Sequence, residues 1–198
     1  DVTFSTINTV GSTSFDWTND NTGIGLAANG TGDITGFAAT NTTSAPITGT
    51  ITVTPTYTND GVSCTGPAET FTITVNPTAQ VDDPADQVVC NGDPVSAVAF
   101  TTDRTGGTTT YAWTNDQPGI GLLASGSGNI PAFNAVNNGT SPVVASIVVT
   151  PTFTNNGVSC TGPAETFTIT VNPTAQVDEI SDQTVCNTGN TAEIVFST

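Results

Sequence analysis

The chain has 198 residues and a formal charge of −16 at pH 7, with one Lys+Arg against seventeen Asp+Glu, no His and no Met. So few cations cannot neutralise a phosphate backbone or hold a polybasic segment at a bilayer, which excludes nucleic acid and electrostatic membrane contact. Only 9% of the residues are charged, so the polar surface must be built from Thr, Asn, Ser and Gly, a composition that suits β-structure rather than a disordered polyanion.

No apolar run approaches the ~18–20 residues a membrane helix needs, and Asp1 opens directly into DVTFSTINTV without a signal-peptide pattern. Both ends fall in mid-pattern, which predicts a segment of a longer polypeptide, with any export signal outside it.

In chain order, the recognisable stretches are FDWTND around Trp17, GIGLAANGTGDITGF at Gly23–Phe37, ITVTPTYTNDGVSC at Ile51–Cys64 and DQVVCN at Asp86–Asn91. Each returns 96 residues later: YAWTND around Trp113, GIGLLASGSGNIPAF at Gly119–Phe133, IVVTPTFTNNGVSC at Ile147–Cys160 and DQTVCN at Asp182–Asn187. GVSCTGPAETFTITVNPTAQVD at Gly61–Asp82 recurs verbatim at Gly157–Asp178. A period of 96 exceeds the roughly 20–50 residues of a solenoid coil or propeller blade and matches one small β domain. Recent duplication accounts for the verbatim stretch; the sharper reading is a contact that this segment makes in every copy. The Asn-Pro in VNPTAQV at Val75–Val81 marks a short linker, which puts boundaries near Thr78 and Thr174. Residues 1–78 are then a repeat lacking its first strand, 79–174 a complete repeat, and 175–198 the first strands of the next.

Within the complete repeat, VSAVAF (Val95–Phe100), TTYAWT (Thr109–Thr114), ASIVVTPTFT (Ala145–Thr154) and ETFTITV (Glu165–Val171) alternate apolar and small or polar residues. Period-2 alternation with one apolar face predicts antiparallel strands packed in two layers. The expected core is Phe100, Trp113, Phe133, Ile147, Val149, Phe167 and Ile169. No 3.6-residue stripe occurs, so helix should be nearly absent. About seven short strands around a core Trp on the third describe an all-β, immunoglobulin-like sandwich repeated in tandem.

WTNDQPGIGL (Trp113–Leu122) and TFTITVNP (Thr166–Pro173) carry a resemblance that spans essentially the whole chain. The chain resembles the PKD-like, immunoglobulin-like repeats of giant secreted surface proteins of Bacteroidota, among them adhesins associated with gliding motility and type 9 secretion. The DFGDG signature usual in PKD domains is missing, which marks a divergent branch. The resemblance implies an extracellular, non-enzymatic stalk or adhesin at a bacterial surface, with neighbouring repeats, surface glycans or other cells as partners.

Catalysis finds little support: without His or Lys, the common general base and Schiff-base nucleophile are missing. The adjacent Asp82 and Asp83 sit in a linker rather than astride a sugar cleft. Arg104, in the turn DRTGG, reads as surface decoration, since its counterpart is Asn8.

Two cysteines fall in each period. Zinc does not suit two Cys without His, and disulfides are the default in an exported protein. Three pairings fit: Cys90 with Cys160 inside one repeat; Cys64 with Cys90 and Cys160 with Cys186 between repeats; or bonds to neighbours beyond this segment. The first turn and last hairpin of a sandwich lie at opposite ends. The within-repeat pair Cys90–Cys160, the pairing expected here, therefore needs strand exchange between neighbouring units; the between-repeat pairing is the alternative. Acids cluster at the junctions, Asp82, Asp83 and Asp86, repeated as Asp178, Glu179 and Asp182. Calcium between tandem domains is one reading; a solvated linker is the other, and no D-x-D-x-D-G loop is present. No cofactor is otherwise implied.

Three functions remain: a stalk or adhesive fibre, a filament whose repeats exchange strands, and a glycan-binding module. The last needs exposed aromatic platforms, and most aromatics here alternate into the core.

Overall fold

A computed structural model of the chain describes residues 1–196; the last two residues of the expected third repeat lie outside the described residues. The molecule is nearly all β, built from several sheets in an arrangement consistent with a β-sandwich. Helix among the described residues is confined to two single turns of 3-10 helix, Thr22–Ile24 and Pro118–Ile120.

The first unit contains β1 (Ser12–Asn19), β2 (Asn29–Thr31), β3 (Ile47–Asn59), β4 (Val62–Thr65) and β5 (Glu69–Val75). β3 is its hub. One edge pairs antiparallel with β1 along that strand's whole length. The other edge is shared, β5 taking Ile47–Val53 and β4 taking Thr56–Asn59. β3 and β4 join through Asp60 and Gly61, both left-handed at φ 49° and 78°. Two consecutive positive φ values are the hallmark of the tight hairpin turn that Asp-Gly favours.

The second unit contains β6 (Gln87–Cys90), β7 (Pro94–Val95), β8 (Thr108–Asn115), β9 (Ser125–Ser127), β10 (Phe133–Asn134), β11 (Val143–Asn155), β12 (Val158–Thr161) and β13 (Glu165–Asn172). β11 repeats the hub role between β8 on one side and β13 with β12 on the other. Here the sheet gains a strand, because β6 pairs parallel with β13. A second small sheet, β7 with β10, is extended by a bridge between Val98 and Ile130.

The strand expected over Val95–Phe100 is therefore broken. β7 ends at Val95, and of the next residues Val98 alone makes a backbone bridge. Phe100 N–H then donates to the Asn129 side chain at 3.0 Å instead of to a ladder carbonyl.

Two cores result. In the second unit Phe100, Trp113, Ile147, Val149, Phe167 and Ile169 are buried together, with Phe133 half-buried against their margin. In the first, Trp17, Ile24, Leu26, Ile34, Ile51 and Val53 form the buried set. Each Trp faces a glycine across its edge strand, Trp17 opposite Gly30 and Trp113 opposite Gly126. A side chain at either glycine would run into the indole. This packing explains the glycines that follow GIGL in both copies.

Candidate functional site: a groove filled once and open once

The residues with the most to say lie where one unit meets the next. Asn76–Asp82 leaves the end of β5 and lies down on the second unit. Pro77, Ala79 and Val81 face inward and are buried, Val81 to 3% exposure within the second core. Thr78, Gln80 and Asp82 alternate with them, facing outward or along the surface.

Polar contacts fix the segment in register. At its start, Asn76 and Asn155 share a hydrogen bond at 3.0 Å, and Asn76 also donates to the Val158 carbonyl at 3.3 Å. In the middle, Gln80 Oε1 accepts from Thr102 Oγ1 at 3.0 Å and from Asp103 N–H at 3.3 Å. At its end, Asp82 N–H donates to the Thr101 carbonyl at 2.8 Å, while its carboxylate accepts from Thr101 Oγ1 at 2.6 Å and Gln80 Nε2 at 2.9 Å. These bonds, Gln80's first and Thr101's second, hold the Asp82 carboxyl below its ordinary value of 3.8. Tyr111, half-buried nearby, is pushed upward by burial, with Asp82 adding a smaller like-signed effect.

A second clasp forms beside it. Thr105 N–H donates to the Ser44 carbonyl at 2.9 Å, and the Arg104 guanidinium donates to the Thr43 carbonyl at 3.3 Å. With its side chain 20% exposed and Asp103 3.6 Å away, Arg104 is a junction contact rather than surface decoration. Its counterpart in the other copy is Asn8 and its partner Thr43 lies 61 residues earlier, so no local pattern marks the contact.

The equivalent surface on the first unit is open. Val2, Phe4, Phe15, Val53, Pro55 and Phe71 line a groove of about 1090 Å³, with Cys64, Thr65 and Gly66 along its rim. Phe4 leans on Phe15 at 5.6 Å between ring centres and on Phe71 at 6.5 Å. Their counterparts in the second unit, Phe100 on Tyr111 at 5.4 Å and on Phe167 at 6.4 Å, are covered by Val81.

The remaining sequence candidates do not assemble into a site. All four cysteines are free thiols. β6 sets Cys90 beside Asn172 at the C-terminal end of β13, whereas Cys160 on β12 lies beside Phe153, beyond the strand's other end at Glu165. The eight residues of β13 separate them by about 25 Å at ~3.3 Å per residue, against the ~7 Å between Cα atoms that a disulfide tolerates. The pair Cys90–Cys160 is thus not formed, nor are Cys64–Cys90 and Cys160–Cys186.

Among the described residues no group of three metal-ligating side chains converges. Asp82 is engaged as above, and Asp86 accepts from Thr168 N–H at 2.6 Å, tying the linker to β13. Asp83, Asp178, Glu179 and Asp182 are exposed. Asp20 and Asp116 each accept a backbone N–H of the adjoining hub strand, from Thr50 at 2.6 Å and Ser146 at 2.7 Å. These carboxylates act as local staples for exposed backbone.

Among the described residues, no helix is long and apolar enough to cross a membrane. No protein-family model matches this chain, and no curated protein is significantly similar to it.

Proposed function

We propose that the chain is a non-enzymatic, load-bearing segment of a long extracellular bacterial surface protein, in which immunoglobulin-like, PKD-like repeats of 96 residues extend or form an adhesive fibre. The observation that carries this reading is the junction. Pro77, Ala79 and Val81 of the connecting segment are buried in the following unit, and Arg104 reaches back to the preceding one. A connection that is part of the next core has little slack, so successive units hold a set direction, as a spacer requires. The surface between junctions is uncharged threonine ladder, such as Thr48 against Thr74 at 2.9 Å, with scattered acids for solubility. Neighbouring repeats are the primary partners, and any glycan or cell-surface ligand is engaged by the assembled fibre.

Small-angle scattering of residues 1–198 tests this. Two sandwiches in line, each roughly 35–40 Å long from strands of about ten residues, give a radius of gyration above about 20 Å. A compact globule of this length gives about 16 Å. The larger value, unchanged across salt concentrations, is the expected result; the smaller would end the spacer reading.

A further inference from the structure

Arg104 is the one Lys or Arg among 198 residues. It sits in the loop of residues 101–107, which leads into β8 and pairs with no strand. Loops of this kind are where endoproteases cut, because such enzymes take their substrates as a short extended strand. Gly106 and Gly107 follow the arginine and ease that extension.

The loop is nevertheless tied down. Gln80 Oε1 accepts from Thr102 Oγ1 at 3.0 Å and from Asp103 N–H at 3.3 Å, and Asp82 is bonded to Thr101 through both backbone and side chain. The Arg104 guanidinium donates to the Thr43 carbonyl at 3.3 Å. The next amide along, Thr105 N–H, donates to the Ser44 carbonyl at 2.9 Å. Arg104 N–H is turned onto Thr102 Oγ1 at 3.2 Å. Among the described residues, every hydrogen bond that residues 101–105 make outside the loop thus goes to the connecting segment or to the first unit. None goes to the second unit, to which the loop itself belongs.

That distribution makes the junction a guard. An arginine-specific protease must draw the guanidinium into a pocket bearing a carboxylate and lay the flanking backbone along its own strands. Here Thr43 holds the guanidinium, Ser44 holds the N–H that follows it, and Gln80 holds the two residues before it. When the units part, these bonds are lost together, and no hydrogen bond to the second unit keeps residues 101–105 in place. The same position in the other copy is Asn8, so this loop alone carries the specificity residue.

We propose that the peptide bond between Arg104 and Thr105 is a gated processing site for a trypsin-like protease, closed while the two units are docked and opened when they separate. Cleavage adds water across this one amide. The C–N bond breaks, the Arg104 carbonyl gains the hydroxyl and becomes a carboxylate, and Thr105 takes up the protons as a new amino terminus. The cut falls between β7 and β8. β6 and β7 stay with the first fragment, and their partners β13 and β10 lie in the second. A continuous chain becomes two pieces joined by strand pairing alone.

Trypsin acting on residues 1–198 tests this, since its cut can fall only after Arg104. The rate is compared with that of a synthetic peptide of residues 99–109. The folded chain is expected to be cut on the order of 100-fold more slowly, because the rate follows the population of the open form. Gln80→Ala, which releases Thr102 and Asp103, should raise the rate about tenfold with the tryptophan emission unchanged. Ile147→Val, a mild truncation in the second core that touches no part of the loop, should leave the rate within about twofold. A wild-type rate equal to the peptide's overturns the proposal, because the site is then unguarded. A wild-type rate in Gln80→Ala overturns it as well. So does Ile147→Val accelerating the cut as much as Gln80→Ala, because cleavage then follows unfolding of the unit rather than opening of the junction.

Discussion

The backbone of Ala79 rests on Gly162, with no room between the Ala79 carbonyl and a β-carbon at position 162. That approach lets Ala79 and Val81, from the segment between the units, enter the second unit's interior. Gly162→Ala should therefore lift the segment and cost about 1–3 kcal/mol. Gly66→Ala, the same change where no segment lies above, should cost well under half as much. Denaturant midpoints of the two variants give the answer, and equal losses would mean the close approach has no energetic role.

Val81 and Val177 form a natural control pair, being the same residue in the same motif with one buried and one exposed. Truncation of Val81 to Ala removes two buried carbons and should destabilise the second unit by about 2 kcal/mol. Val177→Ala should stay within about 0.5 kcal/mol in a dilute, monomeric sample. Calorimetry that finds the two variants alike would show that Val81 does not belong to the core.

Trp113 packs against Gly126, and Trp17 against Gly30. Gly126→Ala should displace the indole, destabilise the second unit by about 1–3 kcal/mol and shift the tryptophan emission to longer wavelength as water reaches the ring. Gly119, outside this contact and with nothing within 4 Å of a β-carbon placed on it, serves as a comparison site at which Gly→Ala should leave the emission unchanged. An unshifted spectrum in Gly126→Ala would refute the packing.

Acid should loosen the junction at Asp82. Asp82 has a folded-state pKa lowered by the hydrogen bonds from Gln80 and Thr101. A depressed carboxyl pKa stabilises the fold above the unfolded value, and that contribution disappears as pH falls through the folded value. The window thus lies at and below the ordinary carboxylate range, about 4 and under. Hydrogen exchange at Asp82 N–H, which donates to Thr101, should accelerate there relative to the intrinsic amide rate at each pH in the wild type. In Asp82→Asn it should be faster at neutral pH already and lose most of its acid response.

The hub strands were legible because their chemistry is repetitive. Ile147, Val149 and Phe153 alternate with Val148, Thr150 and Thr152, and Phe167, Ile169 and Val171 alternate with threonines, so one face could only be core. The run Val95–Phe100 shows the same alternation yet breaks after Val95, because the Asn129 side chain, placed by a turn distant in sequence, captures Phe100 N–H. The packing of the junction is hard to read from sequence for a related reason. Pro77, Ala79 and Val81 also alternate with polar residues, but Asn-Pro and three nearby acids made the stretch resemble a solvated linker. Nothing local reveals that Gly162 leaves a trough for it. The separation of the two cysteines is likewise a matter of connectivity: the parallel β6 carries Cys90 to the far end of β13, away from Cys160.

That parallel pairing has a mechanical consequence. In the fibre proposed above, tension would enter the second unit through Asn76–Asp82 and leave it past Asn172. The entering chain becomes β6 and the leaving chain is β13, side by side and pointing the same way. Pulling their outer ends apart slides the two strands lengthwise past each other, so the hydrogen bonds between them must yield together rather than peel one at a time. Such a shear-loaded pair resists stretching far better than a hairpin of equal stability opened from its ends, and it places the rupture point in the added strand rather than in the hub.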